Sequence, residues 1–395
     1  MGYKIGLLTE GSSKKDYHIV LLVMLVFFVI SLITNILNSI IVDVKESFDL
    51  SLTMTGFLPF TFFIAYGVMS IPAGFLSERF ENKALLSFSF LLMTLASLVF
   101  VFVPTHIVFS FTLFVLGSCM AILQVIINPM LRVAGGEEHF AFNSVVAQLV
   151  FGGASFTSPY LYKYLVNVDA NENWATMLRS FVPEHIPWAS LYLVFSVFCF
   201  VLVLIVLLTK YPTYDKEEDE KAGDSTSYMT LIKNKYTHLY FLGIFCYVGI
   251  EQGVGNWISQ FLQEYHQIDP QTFGANTVAY FWAMLTVGCI LGLVLLKIFD
   301  SRKLLVGTTV ITIVCLFFAL LGNSSISLFA FPMLGFFISV MWPIIFSLGL
   351  NSIKEHHGSL SGILCTGIAG GAILPFLIGV IGEITSLKTA LFFII

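Results

Sequence analysis

Eleven apolar runs, each about 20 residues long, limit the fold of this chain more tightly than any other feature. They lie at 18–42, 54–77, 84–103, 107–132, 140–165, 188–209, 236–262, 275–299, 304–322, 325–351 and 358–382. A helix of about 20 residues crosses the hydrocarbon core of a bilayer. In that medium every backbone N–H and C=O has to be paired internally, which helices achieve locally. A membrane barrel would show alternating segments of about 10 residues instead. Composition agrees with the helical reading. The chain is 57% hydrophobic and only 11% charged, with a mean hydropathy of +0.90. A soluble domain of 395 residues would need far more charge to cover its surface. A twelfth run begins near Lys388 and stops at Ile395. The expectation is an all-α integral membrane protein that ends inside its last span.

Charge position sets the orientation. If the N-terminus is cytoplasmic, the inner segments hold fifteen of the nineteen Lys and Arg residues. Only Lys45, Lys163, Arg179 and Lys388 fall outside. That bias is the one cytoplasmic loops carry, so a multi-pass protein of the cell (inner) membrane with an inner N-terminus is expected. The polar residues before Asp16 lack a cleavable signal pattern. Cys119, Cys199, Cys246, Cys289, Cys315 and Cys365 all sit in apolar runs, without CxxC spacing. They read as small core residues rather than as disulfides or metal ligands. His356–His357 reads as a solvated pair. No phosphate loop, zinc signature or catalytic triad is present, so neither an enzyme nor a metal site is expected.

The longest polar stretch, Tyr211–Lys235, contains the run Asp215–Lys221 and reads as a flexible linker. The chain then divides into 1–209, a six-helix bundle; 210–235, a cytoplasmic linker; and 236–395, a second helix bundle. A second polar segment, Asn167–Pro187, carries Trp174, Met177, Leu178 and Phe181 near helical spacing. It is expected to lie as a short helix on the membrane surface. Trp188 is expected to face lipid or the interface. The halves echo each other. Glu81-x-Lys83 recurs as Asp300-x-Arg302 at an offset of 219. Leu116–Gly117 recurs as Leu334–Gly335, and Gly152–Gly153 as Gly370–Gly371, at an offset of 218. A common offset argues for duplicated halves.

Two homologous six-span halves, a charged central linker and an inner Gly-x-x-x-Glu-Arg-x-x-x-Lys loop (Gly74, Glu78, Arg79, Lys83) resemble the major facilitator superfamily. The resemblance implies that this loop and its echo at Asp300 and Arg302 latch one conformation. Gly74 is then expected to let two helices approach closely.

Polar groups placed halfway through a span are costly and are functional candidates by default. Span one carries Asn35, Asn38 and Ser39. Span four carries Gln124 and Asn128–Pro129, and span five Asn143 and Gln148. Span seven carries Tyr247, Gly249, Glu251, Gln252, Gly255, Asn256 and Trp257. Span ten carries Met341-Trp342-Pro343, and span eleven Gly370, Gly371 and Pro375. Together these resemble the fucose/glucose/galactose permeases of that superfamily. The shared features are Leu-acid/Gln-x-x-x-Asn-Pro in span four and Tyr-x-Gly-x-Glu/Gln in span seven. Met-x-Pro-x-x-Phe-Ser in span ten and Gly-Gly-Ala-x-x-Pro in span eleven complete the set. The match runs from about Leu37 to Gly379. Such proteins import hexoses coupled to protons or sodium. This chain departs from the proton-coupled fucose pattern: Ser39 and Gln124 stand where that branch has acids, and Phe151 lies near its span-five Asn. Amides do not titrate near neutral pH. Gln124 and Glu251 are similar instead to the glucose/galactose branch.

The expected function is cation-coupled import of a hexose by alternating access, without a cofactor and with Na⁺ or H⁺ as coupling ion. The expected substrate-binding residues are Asn35, Asn38, Gln124, Asn128, Gln148, Gln252, Asn256, Trp257 and Trp342. Amides donate and accept as sugar hydroxyls do, and an indole face packs on a pyranose. Hydrogen bonding between helices favours the same amides. Glu251 and Asp43 are the ion-coupling candidates. A backbone-bonded Glu251 at a glycine-rich break, and a solvated Asp43 at the end of span one, are the structural alternatives. The partners expected are a sugar, a cation and the bilayer, with no nucleic acid and the protein a monomer. A drug or metabolite exporter of the same fold and an uncoupled sugar uniporter are the rival functions.

Overall fold

The computed structural model describes residues 16–135, 140–167, 173–209, 225–352 and 357–393. Among the described residues there are helices and no strands, and nine helices are long and apolar enough to cross a membrane. The first half is built from α1 (Tyr17–Ser47), α2 (Leu52–Arg79), α3 (Asn82–Phe102), α4 (His106–Gly135), α5 (Phe140–Val166), the short α6 (Asn173–Arg179) and α7 (Ser190–Leu208). After α8 (Ser225–Ile232) come α9 (Lys235–His266), α10 (Ala275–Ile298) and α11 (Ser301–Leu321). The tenth span is broken into α12 (Ser324–Ile338) and α13 (Met341–Ser352). The eleventh is broken into α14 (His357–Thr366) and α15 (Gly370–Ile384), and α16 (Leu387–Phe392) follows. The breaks have local causes. Pro343 has no N–H to offer the Ser339 carbonyl, and Cys289 Sγ donates to that oxygen at 3.3 Å instead. One buried apolar cluster runs through α1–α5 and α7. Another runs from α9 to α16. The halves meet where α1 packs on α9, α2 on α15 and α5 on α10.

The repeat seen in the sequence reappears in the backbone. α3 and α11 each have 21 residues and begin 219 positions apart. Each follows an extended Phe (Phe80, Phe299) whose N–H caps the preceding helix, and then an acid at the N-cap (Glu81, Asp300). Asp49 and Gln267, 218 apart, both adopt positive φ (50° and 54°) in the turns that end α1 and α9. Ser51 and Asp269, also 218 apart, cap the segments that follow. A Cβ on Gly117 would run into the Phe62 carbonyl, and one on Gly335 into the Phe281 carbonyl 219 positions after Phe62. Glycine is required there because α4 on α2, and α12 on α10, approach backbone to backbone.

Several expectations are corrected by the structure. A Cβ on Gly74 would meet nothing within 4 Å, so this glycine does not serve a close approach. Lys83 donates to the Leu207 and Thr209 carbonyls at 2.7 and 3.2 Å and so caps the C-terminal end of α7. Asp300 accepts from the N–H groups of Arg302 and Lys303 as a helix N-cap. Arg79 and Arg302 are exposed, and the Glu78 side chain lies outside the described residues. Trp188 does not face lipid. It is fully buried among Phe48, Phe100 and Phe109, and its indole N–H donates to Ser47 Oγ at 3.0 Å. The segment read as linker includes helix α8, whose Leu231 is buried against Leu360 and Leu364. The run Asp215–Lys221 and His356 lie outside the described residues. α6 occupies part of the second polar segment, with Trp174 and Met177 exposed and Trp174 stacked on Tyr164.

Gly117→Ala and Gly335→Ala should each destabilise by about 1–3 kcal/mol, the usual cost of overpacking. Gly74→Ala should not. Thermal unfolding of the detergent-solubilised variants measures the difference, and an equal loss at all three positions would contradict the packing described.

Candidate functional site

The helices that face one another across the junction of the halves carry two groups of polar side chains. The first group is packed along the α1–α9 seam. Asn38 and Asn256, each 1% exposed, are 218 positions apart and so are counterparts in the repeat. A Cβ on Gly255, the neighbour of Asn256, would lie 3.2 Å from Asn38 Nδ2 and 3.6 Å from Trp282. Asn256 Nδ2 donates to the Gln252 carbonyl at 2.7 Å. Among the described residues Asn38 Nδ2, Ser39 Oγ, Gln252 Oε1, Asn256 Oδ1 and Trp282 Nε1 are buried without a hydrogen-bond partner. Gln252 sits where α9 meets α15 and α2, with its Cγ 3.2 Å and Phe63 3.3 Å from a Cβ built on Gly371. Unpaired polar groups cost about 1–3 kcal/mol each even in soluble interiors, so those gathered around α9 at Asn38, Gln252, Asn256 and Trp282 can be satisfied by a polar solute or water.

The second group is more open. Gln148 is exposed on α5. It shares a face with Gly152, which abuts Thr286 of α10, and with Ser155, which meets Ser31 of α1. Through Gly152 that face meets the second half. Gln124 of α4 and Trp342 of α13 are partly buried and, at an offset of 218, are also counterparts. Trp342 lies parallel to Phe346 (centroids 6.0 Å, 14°) and 6.0 Å from Tyr247. The Tyr247 hydroxyl donates to Glu251 Oε1 at 3.3 Å. Glu251 is partly buried, and its repeat counterpart is the buried Ile33. An acid, a phenol and an indole are thus grouped where α9 meets α13 in the second half.

Other expected site residues are placed elsewhere. Asn35 belongs to a knot within the first half: its Nδ2 donates to Ser155 Oγ (2.9 Å) and to the Ser31 carbonyl (3.1 Å). Ser31 in turn donates to the Phe151 carbonyl at 2.5 Å. Trp257 is 1% exposed, and its N–H is spent on the Pro375 carbonyl at 3.1 Å, which makes it part of the α9–α15 packing. The Asn128 side chain lies outside the described residues. Asp43 is not solvated. It is buried, accepting from the Tyr162 hydroxyl at 2.9 Å and from Gln271 Nε2 at 3.2 Å. Sequence reasoning did not single out Tyr162 or Gln271, since a tyrosine in an apolar run and a glutamine between spans carry no distinguishing pattern. Among the described residues, no three His, Cys, Asp or Glu side chains group as a metal site.

Comparison with known proteins agrees with this architecture. The family model of the Major Facilitator Superfamily matches residues 23–375. A glucose/galactose transporter of Brucella abortus is 31% identical over 97% of this chain and 92% of its own length. The L-fucose-proton symporter of Escherichia coli is 25% identical over 93% of this chain and 87% of its own. The crystal structure of the E. coli fucose:proton symporter superposes with a TM-score of 0.65 at 21% identity, covering 95% of this chain and 94% of that one. With its paired helical halves, glycine-mediated crossings and polar junction, the chain belongs to the major facilitator superfamily, in the branch that holds the glucose/galactose and fucose permeases.

Proposed function

We propose that this protein imports a hexose, glucose- or galactose-like, by cation-coupled symport through alternating access, in the inner membrane with its N-terminus cytoplasmic. The unpaired polar groups on the α1–α9 seam carry the reading. A solute rich in hydroxyls can donate to Asn256 Oδ1 and Gln252 Oε1 while accepting from Asn38 Nδ2 and Trp282 Nε1. An apolar drug would leave these groups unpaired, which argues against an exporter of hydrophobic compounds. The counterparts Gln124 and Trp342 add to the reading: an amide on one side suits a hydroxyl edge, and an indole on the other suits the C–H face of a pyranose. The named activities of the relatives point the same way: a glucose/galactose transporter and an L-fucose-proton symporter.

Gln148 and Gln124 make first contact from the open side in this reading, and the groups of α1 and α9 pair with the sugar beyond them. Glu251 serves as the coupling group. A carboxylate in hydrocarbon is tolerated when it takes up a proton or pairs with a cation. Tyr247 occupies one of its oxygens, and the other remains for the ion. Sodium is favoured over protons because Ser39 and Gln124 replace the acids of the fucose pattern. The orientation rests on the Lys and Arg bias of the loops on the N-terminal side.

Proteoliposomes containing the protein should accumulate labelled glucose or galactose when a sodium gradient is imposed, and only equilibrate without one. Absence of counterflow for every hexose tested would remove the sugar assignment. Glu251→Gln keeps the shape of the side chain but removes its charge. It should retain sugar exchange at equal concentrations and lose accumulation. A uniporter would show exchange and accumulation equally unaffected. Trp342→Ala should raise KM roughly 10-fold, the scale of one lost aromatic contact, with little effect on protein yield.

A further inference from the structure

The face of the bundle remote from the N-terminus, where α1 meets α2 and α9 meets α10, is closed by polar contacts between the halves. Gln271 Nε2 donates to both oxygens of Asp43 at 3.2 Å. Gln263 Nε2 donates to Glu46 Oε1 at 2.8 Å. Lys163 Nζ donates to Asn276 Oδ1 at 2.8 Å, and Asn167 Nδ2 to the Gln271 carbonyl at 3.2 Å. The Thr53 N–H donates to Glu383 Oε2 at 2.8 Å. The closure follows the repeat. The start of α2 is tied to the end of α15, as the segment before α10 is tied to the end of α5.

Asp43 stands apart in this set. It is 7% exposed, whereas the other contacts lie nearer solvent. Its repeat counterpart, 218 positions on, is Phe261, fully buried against Tyr265 and Phe331. The architecture therefore accepts an apolar side chain at this position. A buried carboxylate is the more expensive choice, and its cost is offset here by two neutral donors: Tyr162 from its own half and Gln271 from the other. The carboxylates of Glu46, on the same helix, and of Asp269, two residues before Gln271, lie near enough to act on it electrostatically. If Gln271 moves away, Asp43 keeps Tyr162 and gains water. Both arrangements satisfy the group, which is the requirement for a two-state contact. Phenylalanine could satisfy only the closed one.

We propose that Asp43 is the central residue of a gate at this face, a positioning residue that holds the halves together through Gln271 and releases them when α1 and the α9–α10 corner separate. In the orientation proposed above, this is the external mouth. The assignment rests on the alternating-access reading, but its test measures accessibility and not sugar uptake, so the two can fail separately.

The test uses the full-length protein in right-side-out and inside-out vesicles and an impermeant maleimide, with the parent chain as the control for native cysteines. One reporter is Gln260→Cys on α9, 4% exposed and one turn from Gln263. The other is Gln148→Cys, on the open side. With the parent gate, Gln260→Cys should label slowly from the Asp43 face. Adding Asp43→Ala or Gln271→Ala should speed that labelling about 10-fold, the scale of one or two lost hydrogen bonds. Labelling of Gln148→Cys from the opposite face should fall in the same variants. Asp43→Asn, which keeps a carbonyl acceptor, should give a smaller change. The double variant should match the larger single effect, since both remove one contact. General loosening would instead raise labelling at both reporters. That result, or unchanged labelling in variants that insert and unfold like the parent, overturns the proposal.

Discussion

Inside a bilayer a polar group has to find its partner within the protein or within something the protein admits. The buried polar side chains divide along that line. Ser31, Asn35 and Ser155 bind one another between α1 and α5, and Trp257 binds the Pro375 carbonyl between α9 and α15. Asn35 still holds one unpaired oxygen. Among the described residues other unpaired polar atoms lie within single halves, as on α3 and α4, while Asn38, Gln252, Asn256 and Trp282 carry theirs on α1, α9 and α10, helices that reach the junction. In the proposed reading the polar groups at a junction that has to open are the ones left for an arriving solute.

Duplication explains why the seam has this form. Elements kept in both halves, such as the acidic N-caps of α3 and α11, the positive-φ turns at Asp49 and Gln267 and the glycine crossings, build the scaffold. The copies diverge at Gln124 against Trp342, Ile33 against Glu251 and Asp43 against Phe261. A site on a pseudo-two-fold axis would be symmetric if the copies were identical. The function proposed above, an asymmetric sugar moved in a coupled cycle, calls for such divergence. Asn38 and Asn256 are the counterparts that stay alike, and they lie at adjoining positions on the seam itself.

Much of this was legible in the sequence, because span lengths and repeat offsets are properties of spacing. The order of the helices and the Gly117/Gly335 pair needed nothing more. What was not legible depended on direction. Trp188 reads as interfacial from its place at the end of a span, yet it points inward to a cluster of three phenylalanines. Gly74 reads as a packing glycine from its motif, yet it faces open space. Asp300 and Arg302 read as the echo of a latch, yet the acid serves the backbone as a helix cap. Asp43 reads as solvated because it lies near a helix end, and only the fold brings Gln271, 228 positions away, against it. Type and depth alone marked Asn38, Gln252 and Asn256, on which the fold leaves unpaired polar atoms. The same reasoning could not separate them from Asn35 and Trp257, which spend their hydrogen bonds on helix packing.

The gate and the seam are not independent, because the same helices carry both. α1 holds Asn38 and, five residues further along, Asp43; α9 holds Asn256 and, seven residues further along, Gln263. An α-helix rises 1.5 Å per residue, so the polar seam lies about 7–11 Å below the closing contacts on the same rigid rods. α1 and α9 cannot separate at the level of Asn38 and Asn256 toward that face while Asp43 and Glu46 stay bound to Gln271 and Gln263. Conversely, a solute that pairs the seam groups from both sides pulls the rods together and favours the closed contacts above it. Pairing the polar atoms of an asparagine therefore changes the population of a gate one to two turns away through helix geometry alone, with no relay of side chains between them.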